Sequence, residues 1–346
     1  MHDVFIHPSG QDDNLGDSAL RAGILHALRR PAYRFHVHLE GQTSDYLAGI
    51  PLTARDVLYG TQREWSIALA RTSRPIYLLN AGEVNPRPGH SFPGAGRVRD
   101  MRRAAERGGV VIAACIGLKS PADAHSVDFD RTLREADVMS WRDEGSQDAA
   151  GFGGSAPDWA FGLGSQLSAW TSPEQRGLLA VTLRFDRPWP EETWFAALRD
   201  LARRTGTRIA TVAQVARDAP RAVHLAEALG GDYLIAPSTR HDDLDSHVRS
   251  VYSRSLAVVS DRAHALIMGA TEGAYPLGSA SDPGKIRRLL DIAGVGRLTG
   301  DHSGFGQRAG GLESALPGLG RSIDSARGQL WALAERVHAT IDATTG

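Results

Sequence analysis

Short apolar segments rich in β-branched residues alternate with longer segments of helical periodicity along this chain of 346 residues. Such alternation is typical of βαβ units and a mostly parallel sheet. In the first half the pattern predicts strands at 3–7, 34–40, 56–60, 75–83, 109–117 and 136–141, and helices at 17–29, 97–108 and after residue 141. Gly and Pro stand at the junctions, as turns require.

The periodic pattern lapses at 162–177, a polar stretch with Gly, Ser and Pro, and then restarts. The second half predicts strands at 178–184, 208–215, 232–237, 256–262 and 274–279, and helices at 191–205, 219–229, 243–254, 263–271 and 283–295. We therefore predict an N-terminal domain at 1–165 and a C-terminal domain at 177–320, followed by a terminal segment at 321–346 that is an amphipathic helix over 321–343. The predicted fold class is α/β, with two Rossmann-like, doubly wound domains that face an interdomain cleft.

Composition limits the partners of this chain. It has 39 Lys+Arg against 40 Asp+Glu, a net charge of −1, which argues against a broadly basic nucleic-acid binder. Only Lys119 and Lys285 are lysines, so the other basic residues are arginines, whose planar fork suits carboxylates and phosphates. The bias is typical of a GC-rich genome, and the position of each arginine must therefore decide which of them matter.

One cysteine and the absence of long apolar runs bear on location. Cys115 lies inside an apolar strand and cannot form an internal disulfide, so we predict a buried, reduced thiol and a cytoplasmic protein. No signal peptide is visible, and no window approaches the ~20 apolar residues of a membrane span. Membrane association is therefore expected to be peripheral, at the inner face.

The first strand-to-helix junction reads NLGD at 14–17. We expect Asp17 or Ser18 to cap the following helix, Gly16 to permit a tight turn and free N–H groups to face the cleft with Asn14. The alternative is an ordinary capped turn without a ligand. The segment lacks the glycine spacing of dinucleotide-binding and Walker motifs.

Arginines follow three other predicted strands. Arg142 begins the junction RDEGS, and its alternative role is a surface ion pair with Asp143 or Glu144. Arg262 and His264 lie two residues apart before an Ala-rich helix, where both can point at one bound anion above the helix N-terminus. His264 adds acid–base chemistry near neutral pH, unless local backbone satisfies its ring. Arg184 ends the strand LLAVTLR and is a further candidate.

Taken in order, the motifs resemble the polysaccharide pyruvyl transferase family. They are NLGDSAL (14–20), SWRDEGS (140–146), PDWAF (157–161), VTLR (181–184) and SDRAHALIMGATEGAYPLG (260–278), followed by Lys285, and they span nearly the whole chain. The sequence departs from the family pattern at Ala263, at Trp159 and at 79–89, where a Gly-rich strand end is expected.

The resemblance implies a glycosyltransferase-B-like fold and an enzyme that moves a pyruvyl group from phosphoenolpyruvate onto a sugar of an exopolysaccharide or cell-wall glycopolymer, forming a ketal and releasing phosphate. It implies a saccharide acceptor, including lipid-linked repeat units. Phosphoenolpyruvate is then a co-substrate, and no cofactor or metal is required.

The resemblance also implies roles for individual residues. Arg142 matches the arginine of the family's R-D-E-x-S motif, Arg262 and His264 match its Arg-x-His, and these contact the donor in the family. We hypothesise that His264 is the general acid/base, that Arg262 and Arg142 hold phosphate and carboxylate, and that Arg184 assists. The acceptor side of the cleft is assigned to the matched turn residues, which are Asn14, Gly16 and Asp17.

Two other functions remain open at this point. The first is a nucleotide-sugar glycosyltransferase, because Arg and His at a strand end can equally hold a diphosphate. The second is a non-catalytic sugar- or phosphate-binding partner. The loops at 80–94, 170–177 and 300–311 are long enough to act as acceptor loops or lids, and the acidic run HDDLD (241–245) is expected to start a helix.

Overall fold

A computed structural model describes residues 1–85 and 89–345. In the first half the strands are β1 (His2–Ile6), β2 (Tyr33–His38), β3 (Val57–Tyr59), β4 (Ile76–Leu79), β5 (Gly82–Val84), β6 (Ser91–Phe92), β7 (Val110–Leu118), β8 (Asp128–Phe129), β9 (Val138–Trp141) and β10 (Gly154–Ser155). The helices are α1 (Leu15–Leu28), α2 (Ser44–Ala48), α3 (Gln62–Arg71), α4 (Ala95–Glu106), α5 (Arg131–Arg134) and α6 (Glu144–Ala150).

The large sheet of this first lobe is parallel, in the order β10-β9-β7-β4-β1-β2-β3, with β5 paired to β7. From β1 the chain moves outward through β2 and β3, and from β4 it moves outward in the opposite direction through β7 and β9. The strand order therefore reverses between β1 and β4. In doubly wound folds, ligands bind outside the carboxyl ends of the strands at such a reversal.

The second lobe repeats this arrangement with five strands. They are β11 (Leu178–Thr182), β12 (Arg208–Thr211), β13 (Asp232–Tyr233), β14 (Ser255–Ser260) and β15 (Tyr275–Gly278), and the helices are α7 (Glu192–Thr205), α8 (Ala219–Leu229), α9 (His241–Tyr252), α10 (Ala263–Thr271), α11 (Gly284–Asp291), α12 (Phe305–Ala309), α13 (Leu312–Ala315) and α14 (Leu319–Thr345). The parallel order β13-β12-β11-β14-β15 reverses between β11 and β14. Both predicted parallel sheets are therefore present, each with its own reversal point.

The last helix, α14, crosses back to the first lobe. It packs against α1, β7 and β9, and Nδ1 of His338 lies 2.9 Å from the hydroxyl of Tyr33. Arg327 donates hydrogen bonds to the backbone carbonyls of Phe161, Leu163 and Ser165. A single guanidinium thus attaches α14 to the segment that joins the two lobes.

Several elements differ from the predictions. The predicted strand 75–83 is two strands separated by Asn80 and Ala81, and the predicted strand 208–215 ends at Thr211. Helices α2, α3, α5, α12 and α13 were not predicted, because they are short or carry weak apolar periodicity. The acidic run at 241–245 does start a helix, α9. Within the two described stretches, no helix has the length and apolar character needed to cross a membrane.

Candidate active site

A cleft of about 430 Å³ lies where the carboxyl ends of the two sheets face each other. Six of the predicted site residues line it: Asn14, Asp17, Arg142, Arg184, Arg262 and His264. The other lining residues are Gln11, Leu20, Gly82, Glu83, Lys119, Arg187, Gln214, Asp261, Ala263, Ala280, Ser281, Asp282, Lys285, Ile286 and Leu289. The lining carries six Lys and Arg side chains against four carboxylates, so the cleft is locally cationic although the whole protein is nearly neutral.

Chain topology explains this convergence. Arg184 follows β11 and Arg262 follows β14, two adjacent strands on either side of the reversal in the second sheet. Asn14 follows β1 and Glu83 follows β4, the equivalent pair in the first sheet. Residues far apart in the sequence therefore meet at the two reversal points.

Arg142 is buried at the end of β9, with 3% of its side chain exposed. Its Nη1 lies 3.2 Å from Oδ2 of Asp158, and its Nη2 lies 3.7 Å from Oε2 of Glu83. The expected alternative, an ion pair with Asp143 or Glu144, is wrong, because Asp143 instead caps α6 and binds Arg288 at 3.1 Å.

Asp158 is the buried acid of this site, and sequence reasoning did not single it out. Its side chain is fully buried, and Oδ1 accepts the backbone N–H of Ala160 at 3.0 Å. Burial by itself raises the pKa of Asp158, but His264 and Arg142 outweigh burial and hold that pKa well below its usual range. The position of Asp158 in the PDWAF motif was the available signal.

His264 lies in the first turn of α10, and 16% of its side chain is exposed. Its Nε2 lies 3.6 Å from Oδ2 of Asp158, and no hydrogen bond from backbone to the ring exists among the described residues. The alternative that local backbone satisfies this histidine is therefore wrong. The side chain of Arg262, the residue before α10, makes no capping hydrogen bond, so the first N–H groups of the helix have no side-chain cap.

The two arginines of the second lobe have carboxylate partners. Nε of Arg262 donates to Oδ2 of the buried Asp218. Arg184 forms two hydrogen bonds to Asp186, at 2.9 and 2.7 Å. The neighbouring Asp261 accepts the backbone N–H of Arg184 at 2.8 Å. Burial raises the pKa of Asp261 to about 6.

Glu83 and Lys285 form an ion pair across the cleft, and Nη2 of Arg142 lies 3.7 Å from the same carboxylate oxygen, Oε2. Burial raises the pKa of Glu83, but Lys285 and Arg142 outweigh it, so the net shift is downward. Burial and Arg142 lower the pKa of Lys285. Glu83 lies in the segment that departs from the family pattern, and its place in the cleft was not predicted.

The NLGD turn differs from the prediction in its cap. Asn14 is the N-cap of α1 and accepts the N–H of Gly16 at 3.1 Å, so Asp17 and Ser18 lie inside the helix. Asp17 instead accepts the N–H of Gln11 at 2.7 Å and lies 3.4 Å from Nη1 of Arg21. Asn14 caps better than Asp17 here because only the residue before the helix has extended backbone geometry.

The candidate acceptor loops at 170–177 and 300–311 carry buried side chains. Residues 300–311 contain α12, whose Phe305 is buried against Trp194 of α7. Arg176, in the loop at 170–177, is buried and donates to the carbonyls of Ser255 and Glu272. In the loop at 80–94, residues 86–88 lie outside the described residues. No group of three or more His, Cys, Asp or Glu side chains that could hold a metal ion occurs among the residues that the structure describes.

No protein-family model matches this sequence, and comparison with curated proteins finds no match. Solved structures do resemble it. An Anabaena protein in complex with UDP and glucose has a TM-score of 0.56 at 10% identity, covering 99% of this chain and 100% of that chain. UDP-GlcNAc 2-epimerase from Neisseria meningitidis bound to UDP-GlcNAc has a TM-score of 0.54 at 10% identity, covering 98% and 99%. A UGT transferase from Siraitia grosvenorii in complex with UDP has a TM-score of 0.55 at 10% identity, covering 100% of both chains.

At these identities the likeness concerns the fold alone. All three alignments include both lobes, so the predicted architecture of two Rossmann-like units about a cleft is confirmed. The chain has the glycosyltransferase-B-like fold.

Proposed function

We propose that this protein is a phosphoenolpyruvate-dependent pyruvyl transferase that acts on a sugar of a bacterial glycopolymer. The observation that carries the proposal is the meeting of Arg142, Arg184, Arg262 and His264 around one cationic cleft of about 430 Å³. Phosphoenolpyruvate carries a carboxylate and a phosphate a few ångströms apart. Arginines bind both groups through paired hydrogen bonds, and the uncapped N-terminus of α10 adds a further site for negative charge.

The proposed reaction begins with a protonated His264. The imidazolium gives its proton to the methylene carbon, using the electron pair of the C2–C3 double bond, and C2 becomes electrophilic. A sugar hydroxyl then bonds to C2 and returns a proton to His264. A second hydroxyl displaces phosphate from C2 to close the ketal, and its proton leaves on the phosphate. The charge of the arginines stabilises the departing phosphate.

The structural neighbours that bind UDP favour a second candidate, a nucleotide-sugar glycosyltransferase. Two features of the cleft favour a small anion instead. Its lining has ten charged side chains besides His264, and no Phe, Tyr or Trp occurs among the described residues that line it. The convergence of Arg142, Arg262 and His264 also opposes a purely non-catalytic role, since a passive binding surface has no need of a half-buried histidine beside a buried carboxylate.

The test incubates the protein with phosphoenolpyruvate and a panel of sugar acceptors. We expect released phosphate and the mass gain of one pyruvyl ketal. Thermal stabilisation by phosphoenolpyruvate, and not by UDP-sugars, supports the assignment. Stabilisation by UDP-sugars alone overturns it.

Two variants separate binding from chemistry. His264→Ala should abolish transfer and leave phosphoenolpyruvate binding largely intact. Arg262→Lys should weaken binding, because lysine keeps a charge near Asp218 but loses the planar fork. His224→Ala, an exposed histidine on α8, is the control and should have no effect. Near-normal turnover by His264→Ala contradicts the catalytic role.

A further inference from the structure

Asp158 joins two of the proposed donor-site residues beneath the cleft. One of its oxygens, Oδ2, lies 3.2 Å from Nη1 of Arg142 and 3.6 Å from Nε2 of His264. We propose that Asp158 is the positioning residue for His264: its carboxylate holds the Nε2–H of the imidazole and leaves Nδ1 to exchange protons with the bound ligand. The identity of that ligand rests on the proposed function; the Asp158–His264 pair does not.

The carboxylate of Asp158 is fixed before any ligand binds. Asp158 precedes the short 3₁₀ turn at 159–162, and its Oδ1 accepts the N–H of Ala160, the second residue of that turn, at 3.0 Å. The side chain has no exposure to solvent. Its second oxygen therefore has a fixed direction, toward Arg142 and His264.

His264 Nε2 has one acceptor within reach. The atom is shielded from solvent and makes no hydrogen bond within the standard distance to any described residue. The only ion-pair partner of the ring is Oδ2 of Asp158, among the residues that the structure describes. In a neutral imidazole, the hydrogen bond made by one nitrogen decides which nitrogen carries the proton. A carboxylate on the Nε2 side therefore selects the Nε2–H tautomer.

Gly16 lies against the Nδ1 side of the His264 imidazole. A Cβ built on Gly16 would lie 2.6 Å from Nδ1 of His264, so the imidazole packs directly against the bare backbone of that glycine. Nδ1 faces the first turn of α1, at the side of the cleft where Asn14 and Asp17 lie. The ring lines the cleft and Nε2 is its solvent-shielded nitrogen, so proton exchange with a ligand is assigned to Nδ1.

Arg142 contacts the same oxygen of Asp158 that lies beside His264. This contact links donor binding by Arg142 to proton transfer by His264. When a ligand carboxylate binds the guanidinium of Arg142, the interaction between Arg142 and Asp158 weakens. The negative charge of Asp158 then acts more strongly on His264. The imidazolium is then stabilised when the donor is bound, as proton transfer to the substrate requires. A substitution of Asp158 alone retains every other charged group around this cleft. These groups are Asp17 on α1, Glu83 on β5, Lys119 after β7, Lys285 on α11, and Asp261, Arg262, Asp282, Arg184 and Arg187 in the second lobe.

The first experiment needs no assay of transfer. Protein labelled with ¹⁵N-histidine is titrated by NMR, with His264→Gln to assign the resonances of His264. We expect the neutral ring to carry its proton on Nε2. In Asp158→Asn the hydrogen-bond acceptor remains but the charge is lost, so the proton affinity of His264 should fall at least tenfold. Asp100→Asn removes an equally buried acid whose partners are Gln62, Ser66 and Arg103, and should not change the proton affinity of His264.

The second experiment measures transfer against pH. Asp158→Asn should lower kcat and move the basic limb of the profile to lower pH. An unchanged proton affinity in Asp158→Asn, or a wild-type ring protonated on Nδ1, overturns the proposal. Absence of transfer by the wild-type protein refutes the proposed function, and the NMR titration still decides the role of Asp158.

Discussion

Gly16 and His264 come from different lobes and lie in direct contact. A Cβ on Gly16 would lie 2.6 Å from both Cβ and Nδ1 of His264. Gly16 is the second residue of α1, and His264 is the second residue of α10, so the N-terminal turns of two helices meet at the cleft. The bare backbone at residue 16 is what allows this approach.

Gly16→Ala should therefore lower pyruvyl transfer at least tenfold, because the added methyl must displace the imidazole. Gly96→Ala is the matched control: Gly96 is the second residue of α4, and a Cβ there meets nothing within 4 Å. This control should keep full activity and equal or raise the melting temperature. Equal kinetics for the two variants would mean that His264 can move without cost.

Glu83 lies against both Lys285 and Arg142, so an anion that binds these two cations must compete with its carboxylate. Glu83→Gln should therefore tighten phosphoenolpyruvate binding several-fold, as measured by calorimetry, and the gain should shrink as salt is added. Asp282→Asn, which neutralises another carboxylate of the cleft lining, is the control and should have a smaller effect. Weaker binding in Glu83→Gln would instead indicate that Glu83 orients the two cations for the ligand.

Asp261 should make stability depend on pH. Its pKa is about 6 in the folded protein and ~3.9 in an unfolded chain. Its contribution to stability is thus fully present below about pH 4 and is lost as the pH rises through 6, at a cost on the order of 3 kcal/mol. Asn at this position cannot ionise and still accepts the N–H of Arg184. The melting temperature of Asp261→Asn should exceed that of the wild type at pH 8 and match it near pH 4; a constant difference contradicts this.

Arg327 should be a main attachment of α14. Its three hydrogen bonds reach carbonyls of the segment that joins the lobes, and loss of such charge-assisted bonds costs about 2–3 kcal/mol. Arg327→Ala should lower the melting temperature by several degrees. Arg321→Ala, an exposed arginine on the same helix, should change it little. Equal melting temperatures would mean that apolar packing alone holds α14.

Much of the fold followed from the sequence. Apolar periodicity and Gly/Pro punctuation located most strands of both sheets and the last helix, because strand and helix periods are local properties. Arg142, Arg262 and His264 were identified because they follow predicted strand ends. Parallel strands bring their carboxyl ends to one edge of a sheet.

Only the tertiary structure decided which groups pair. Asp158 lies beside His264, Glu83 contacts both Arg142 and Lys285, and Gly16 touches His264. Each of these contacts joins residues about 60 to 250 positions apart in the sequence. The contacts between lobes depend on how the two lobes are oriented, and the Glu83–Arg142 contact depends on the strand order of the first sheet. No local pattern encodes either. The sequence by itself determined the elements and the cationic strand ends. The packing of the lobes determined that a buried carboxylate, and not local backbone, lies beside the imidazole of the histidine.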